Sequence, residues 1–142
     1  IWTNQTGENT ATRPGAGAAG GLGFGLNCFA GATIQPGFDL FAEATGLPKM
    51  LSHADWMITG EGSMDQQTAM GKGVGELAQL ARQNNCRTIV LSGMIEGREA
   101  LQPHFDQIRA LTEITSPSKA KENAAQWLEE LAHQTAQAIT GD

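Results

Sequence analysis

"RTIVLSG", residues 87–93, is continuously apolar after its first two residues, rich in β-branched side chains, and stops abruptly at Ser92-Gly93. A strand with one wet face alternates apolar and polar residues. An unbroken apolar run predicts a strand covered on both faces, as in a parallel sheet. This segment therefore sets the expected fold class, α/β with a parallel sheet flanked by helices in three layers.

The neighbouring segments fit that grammar. "DWMIT", residues 55–59, reads as a short strand, and "IRALTEI", residues 108–114, as a third. Between the first two, Val74, Leu77, Ala78 and Ala81 recur at helical spacing over residues 73–83, and Asn84-Asn85 breaks the run. "SPSKAKENAAQWLEELAHQTAQAI", residues 116–139, predicts one long amphipathic helix. Ser116 is its N-cap and Pro117 its first position, with Ala120, Ala124, Trp127, Leu128 and Leu131 as the buried stripe. Upstream, "QPGFDLFAEATG" predicts a short helix closed by Gly46. "GAGAAGGLGFGLNCFAG", residues 15–31, predicts a glycine-rich turn feeding a buried helix that carries Leu22, Leu26, Phe29 and Ala30, closed by Gly31. Residues 1–14 are polar and lack a period, and Pro14 ends any short strand there.

At 142 residues the chain reads as one α/β unit, long enough for a core without metal or disulfide staples. A net charge of -6 with no basic cluster argues against nucleic acid as a partner, since phosphates would be repelled. Cys28 and Cys86 lack CxxC spacing and read as reduced structural thiols, which with no apolar run of membrane-span length gives the expectation of a cytoplasmic protein. His53, His104 and His133 share no metal-ligand spacing.

"TGEGSMDQQTAMGKG", residues 59–73, is the leading site candidate. It leaves a strand at the carboxyl end, where open α/β sheets bind ligands, and places Glu61, Asp65, Ser63, Thr68 and Lys72 within one glycine-punctuated loop. Glu61 and Asp65 carry two readings. Two carboxylates suit a magnesium ion that keeps phosphate oxygens among its ligands, but Asp65 is equally a turn cap with Glu61 simply exposed. Lys72 precedes a predicted helix, where anions are favoured, and is equally a solvated surface lysine. "MGKG" is not a P-loop, because Gln66 and Gly73 stand where that motif needs glycine and a hydroxyl. Gly15, Gly17 and Gly20 spell G-x-G-x-x-G, a dinucleotide fingerprint only where a strand feeds it. A nucleotide-binding oxidoreductase would need that strand before Gly15. Ser92 is a further residue able to cap or to touch a ligand, with no nucleophile elbow around it.

Taken in order, "GAGAAGGLGFGL", "PGFDLFAEATGL", "ADWMITGEGSMDQQTAMGKGVGELAQLA" and "IVLSG" resemble the C-terminal portion of the type I glycerate kinases from about residue 13 to 139. The resemblance implies part of a two-domain glycerate kinase fold, flavodoxin-like or Rossmann-like in layering. It implies an enzyme that uses ATP and Mg2+ to phosphorylate D-glycerate, with 2-phosphoglycerate the favoured product. Carried onto this chain, the substrate- and nucleotide-binding positions are Gly15, Gly17, Gly20, Gly21, Thr59, Gly60, Gly62, Gln67, Thr68 and Gly71. The expected catalytic residues are Asp65, Glu61 and Lys72: the carboxylates on magnesium or the substrate hydroxyl, the lysine on a phosphate or the glycerate carboxylate. The family's "S-F-K-G" and "D-G-G-E-G" motifs do not occur here. The chain is thus expected to be a C-terminal fragment, a truncated product or a partial sequence, inactive alone, with the missing N-terminal part and possible identical subunits as partners. A non-catalytic α/β binding or regulatory module derived from a kinase is the alternative.

Overall fold

The computed structural model describes residues 10–65 and 73–141. They fall into two compact units, Ile1–Ala44 and Thr45–Asp142.

In the first unit a 3-10 turn at Thr10–Thr12 leads into helix α1, Ala18–Ala30. Residues 19–21 have left-handed backbone angles, so the helix proper starts at Leu22, after a glycine turn as expected. Gly31, also left-handed, closes it through a bond from its amide to the Leu26 carbonyl. The helix is not buried, contrary to the sequence expectation: Leu22, Leu26 and Phe29 are exposed. Six glycines and three alanines among residues 15–25 leave this segment few side chains with which to build a core. Helix α2, Gly37–Thr45, follows, with Ala42 buried and Gly46 left-handed just beyond it.

The second unit holds the sheet. Short helix α3 (Leu47–Leu51) precedes strand β1 (Trp56–Met64), helix α4 (Gly73–Gln83) and strand β2 (Arg87–Ile95). Helix α5 (Arg98–Leu101), a 3-10 turn, strand β3 (Gln107–Ala110) and a second 3-10 turn (Leu111–Glu113) lead to helices α6 (Pro117–Glu122) and α7 (Ala124–Thr140). The strands run in the order β1-β2-β3 and both pairings are parallel.

β2 is the covered central strand that its sequence predicts. Val90 packs with Met64, Ala78 of α4, Leu101, Phe105 and Ile108. Its neighbour Leu91 lies against the cluster of Leu111, Ala120 and Leu131 from the α6–α7 side. Adjacent residues of a strand point to opposite faces, so these two clusters are the two outer interfaces of a three-layer unit. A third cluster joins α3 and α4 through Leu51, Ala81 and Cys86. Burial raises the Cys86 thiol pKa above its ordinary value, helped by the charges of Asp55 and Asp106. Neither cysteine is in a disulfide.

Four expected boundaries change. β2 runs on to Ile95 rather than stopping at Ser92-Gly93. β1 runs on to Met64 rather than ending at Thr59. β3 stops at Ala110, because residues 111–113 turn into a 3-10 helix that carries Leu111 into the core. The long C-terminal helix is two helices broken at Asn123, whose φ of -132° and ψ of 47° leave the helical region. The Ser116 cap and Pro117 start stand as expected, with the Lys119 amide donating to Ser116 Oγ. Within the expected stripe Ala120 and Leu131 are buried, Trp127 is half-buried, and Ala124 and Leu128 are exposed.

Two polar devices fix the β3 side. Asp106 Oδ2 accepts from the Thr88 amide at 2.7 Å and from Thr88 Oγ1 at 3.1 Å, which satisfies a threonine only 2% exposed. Glu113 is held by Arg98 and, at 2.5 Å, by Arg109 Nε. Burial pushes the Glu113 carboxyl pKa up, but hydrogen bonds from Arg109 and the Ala110 backbone, with the Arg98 charge, outweigh it, and the net shift is downward.

Candidate functional site

The extension of β1 reshapes the predicted loop. Thr59 pairs with Val90, Gly60 with Leu91, Glu61 with Ser92, and Ser63 with Met94. Residues 59–64 are therefore sheet, and only Asp65 of the described residues lies past the strand end. Glycines read as strand breakers in sequence act here as points of close backbone approach. A Cβ at Gly60 would collide with the Leu91 carbonyl oxygen, and one at Gly93 with the Gly62 carbonyl oxygen.

Strand alternation then sorts the candidate side chains. Thr59, Glu61 and Ser63 share a face with their partners Val90, Ser92 and Met94, the face on which Val90 meets Ala78 of α4. Glu61 and Ser63 are exposed there, and Asp65 is half-buried beside the strand end. Helix α4 starts at Gly73 on this side of the sheet. Ser92 does not reach outward: it is 2% exposed and its Oγ donates to the Met94 carbonyl at 2.8 Å. Gln67, Thr68, Gly71 and Lys72 lie outside the described residues.

Gly60 and Gly62 belong to the opposite face, beneath α6 and α7. A cavity of about 390 Å3 opens there, lined by Gly60, Gly62, Leu91, Gly93, Ala124 and Leu128 among others. A second, of about 200 Å3, continues from Gly62 and Gly93 to Thr112, Pro117 and Lys121. Sequence reasoning missed this α6–α7 wall. The signal was thin, a helix start hidden inside a continuous helical period. A separate cavity of about 520 Å3 lies along α7 by Trp127, Glu130 and His133 and contains none of the predicted residues.

The glycine motif sits in the first unit. Gly15, Gly20 and Gly21 have φ of 83°, 67° and 96°, which glycine adopts freely. Gly15 also lies so close to Ile34 that a Cβ would come within 2.5 Å of its Cγ2. Gly17 has helical-region angles. Residues 10–14 form a 3-10 helix and turns, so no strand feeds Gly15 directly and the dinucleotide context is not met there.

Among the described residues no three His, Cys, Asp or Glu side chains converge as a metal-binding group. A donor set limited to Glu61 and Asp65 suits a magnesium ion carried by phosphates rather than an all-protein cage. No helix among the described residues is long and apolar enough to cross a membrane.

Residues 1–140 match the model of the glycerate kinase family. A glycerate kinase of Halalkalibacterium halodurans is 42% identical over 73% of this chain and 28% of its own length. That of Bacillus subtilis is 34% identical over 88% of this chain and 34% of its own. A crystal structure from Salmonella typhimurium LT2, provisionally described as a glycerate kinase 2, superposes with a TM-score of 0.66 at 30% identity, covering 89% of this chain and 32% of that one. The chain belongs to the glycerate kinase family. It spans 28% and 34% of the two curated relatives named here.

Proposed function

We propose that this chain supplies part of the active site of an ATP-dependent kinase that phosphorylates D-glycerate, with 2-phosphoglycerate the favoured product. One observation carries the reading: β1 delivers Glu61 and Asp65 to the carboxyl-terminal part of a parallel sheet, beside a glycine-bared cavity, where α/β folds bind their ligands. Phosphoryl transfer asks mainly for positioning and charge neutralisation. Asp65 and Glu61 would hold Mg2+ on the nucleotide phosphates, where the ion would neutralise developing charge. Lys72 would pair with a phosphate or with the glycerate carboxylate. The remaining polypeptide of the longer relatives would complete the site, so the chain alone is expected to turn over little substrate, as a soluble cytoplasmic protein acting with that partner or with further copies.

The test is a chimera in which this chain replaces the matching segment of the H. halodurans relative. ATP-dependent phosphorylation of D-glycerate by the chimera supports the reading, and its loss in a correctly folded chimera removes it. Normal turnover by the isolated chain would refute the need for a complementing part.

A further inference from the structure

We propose that the slot beneath Gly62 and Gly93 takes the purine base of a nucleotide; this rests on the ATP-dependent reading above. The slot is about 200 Å3, below the roughly 300–1,000 Å3 that houses a whole drug-sized ligand. It is the size for one ring system. Its walls are mostly apolar: the bare backbone of the two glycines, Met94, Leu111, Pro117 and Ala120. Thr112 and Lys121 are the polar side chains among its lining.

Gly62 is the telling residue. Gly60 and Gly93 have a packing reason to lack a Cβ, because a carbonyl oxygen of the neighbouring strand stands in the way. A Cβ on Gly62 would meet no atom of the described residues within 4 Å. Strand pairing does not require that empty space, and a flat ring laid on the sheet does.

The slot and the wider cavity share Gly62, Gly93, Leu111 and Ala124, so they form one continuous path. Gly62 stands three residues before Asp65, so a base in the slot lies next to the strand end where the reading above places the phosphates. Lys121 adds a cation at the slot in a chain of net charge -6.

The experiment is amide NMR on this 142-residue chain, titrated separately with adenosine and with ATP. Adenosine is expected to shift the amides of Gly62, Gly93, Thr112 and Lys121. Gly62→Leu is expected to weaken adenosine binding at least tenfold. Should that variant fail to fold, Gly62→Ala carries the test with a weakening of at least threefold. Adenosine shifts elsewhere, or an affinity unchanged in Gly62→Ala, would overturn the proposal. ATP binding confined to other residues overturns the slot and leaves the kinase reading standing. No nucleotide binding overturns the slot; with an inactive chimera as well, the kinase reading falls too.

Discussion

Gly62 and Gly93 lie on adjacent parallel strands so close together that a side chain on Gly93 would press on the Gly62 carbonyl, while one on Gly62 would meet nothing among the described residues. Two glycines a strand apart thus have opposite tolerances. Gly93→Ala is expected to destabilise the fold by roughly 1–3 kcal/mol through overpacking. Gly62→Ala should change stability by less than about 0.5 kcal/mol. Urea melts of the two variants check this, and equal losses would contradict the geometry.

Asp65 is the first residue past β1 and half-buried. If its carboxylate neutralises charge in the transition state, Asp65→Asn in the active chimera should cut turnover by roughly a hundredfold or more. Steady-state kinetics decides it, and near-wild-type turnover would return Asp65 to a structural role.

Asp106 accepts from both the amide and the hydroxyl of buried Thr88. Asp106→Ala would leave that amide and hydroxyl without their acceptor, at a cost of roughly 1–3 kcal/mol. Thr88→Val removes the hydroxyl but keeps the amide bond and should cost less. Thermal melts that reverse this order would overturn the assignment.

Glu113 has its folded-state pKa lowered from the ordinary 4.5. Its contribution to stability is therefore fully present above the unfolded value and is lost as pH falls through the folded one. At pH 7 Glu113→Gln should be less stable than wild type by about 1 kcal/mol at most, since solvent screens the two arginines. The gap should shrink below pH 4.5. Paired denaturant melts at pH 7 and pH 3 measure it, and a gap that widens in acid would reverse the sign.

How much of this was legible in the sequence depended on which signal a residue carried. The unbroken apolar run of β2 announced a strand with both faces covered, and Val90 and Leu91 now point into separate clusters. Helix α4 lies at its predicted bounds, Gly73–Gln83, because Ala78 and Ala81 repeat toward a core. β1 was cut short in the sequence reading because a glycine that breaks a strand and one that permits close approach are spelled alike. Gly60 is the second kind, which only the facing Leu91 carbonyl reveals. The break at Asn123 contains neither proline nor glycine, so a continuous period ran through it. With that break hidden, the α7 terminus facing Gly62 was invisible, and so was the cavity it walls.

Cys86, a residue 3% exposed between α3 and α4, has one more implication. Alkylation needs an accessible thiolate, and burial denies both access and ionisation. In a Cys28→Ser background a thiol-reactive dye should therefore label this position only when the helical layer lifts off. Labelling kinetics would make this thiol a built-in clock of how often the unit opens.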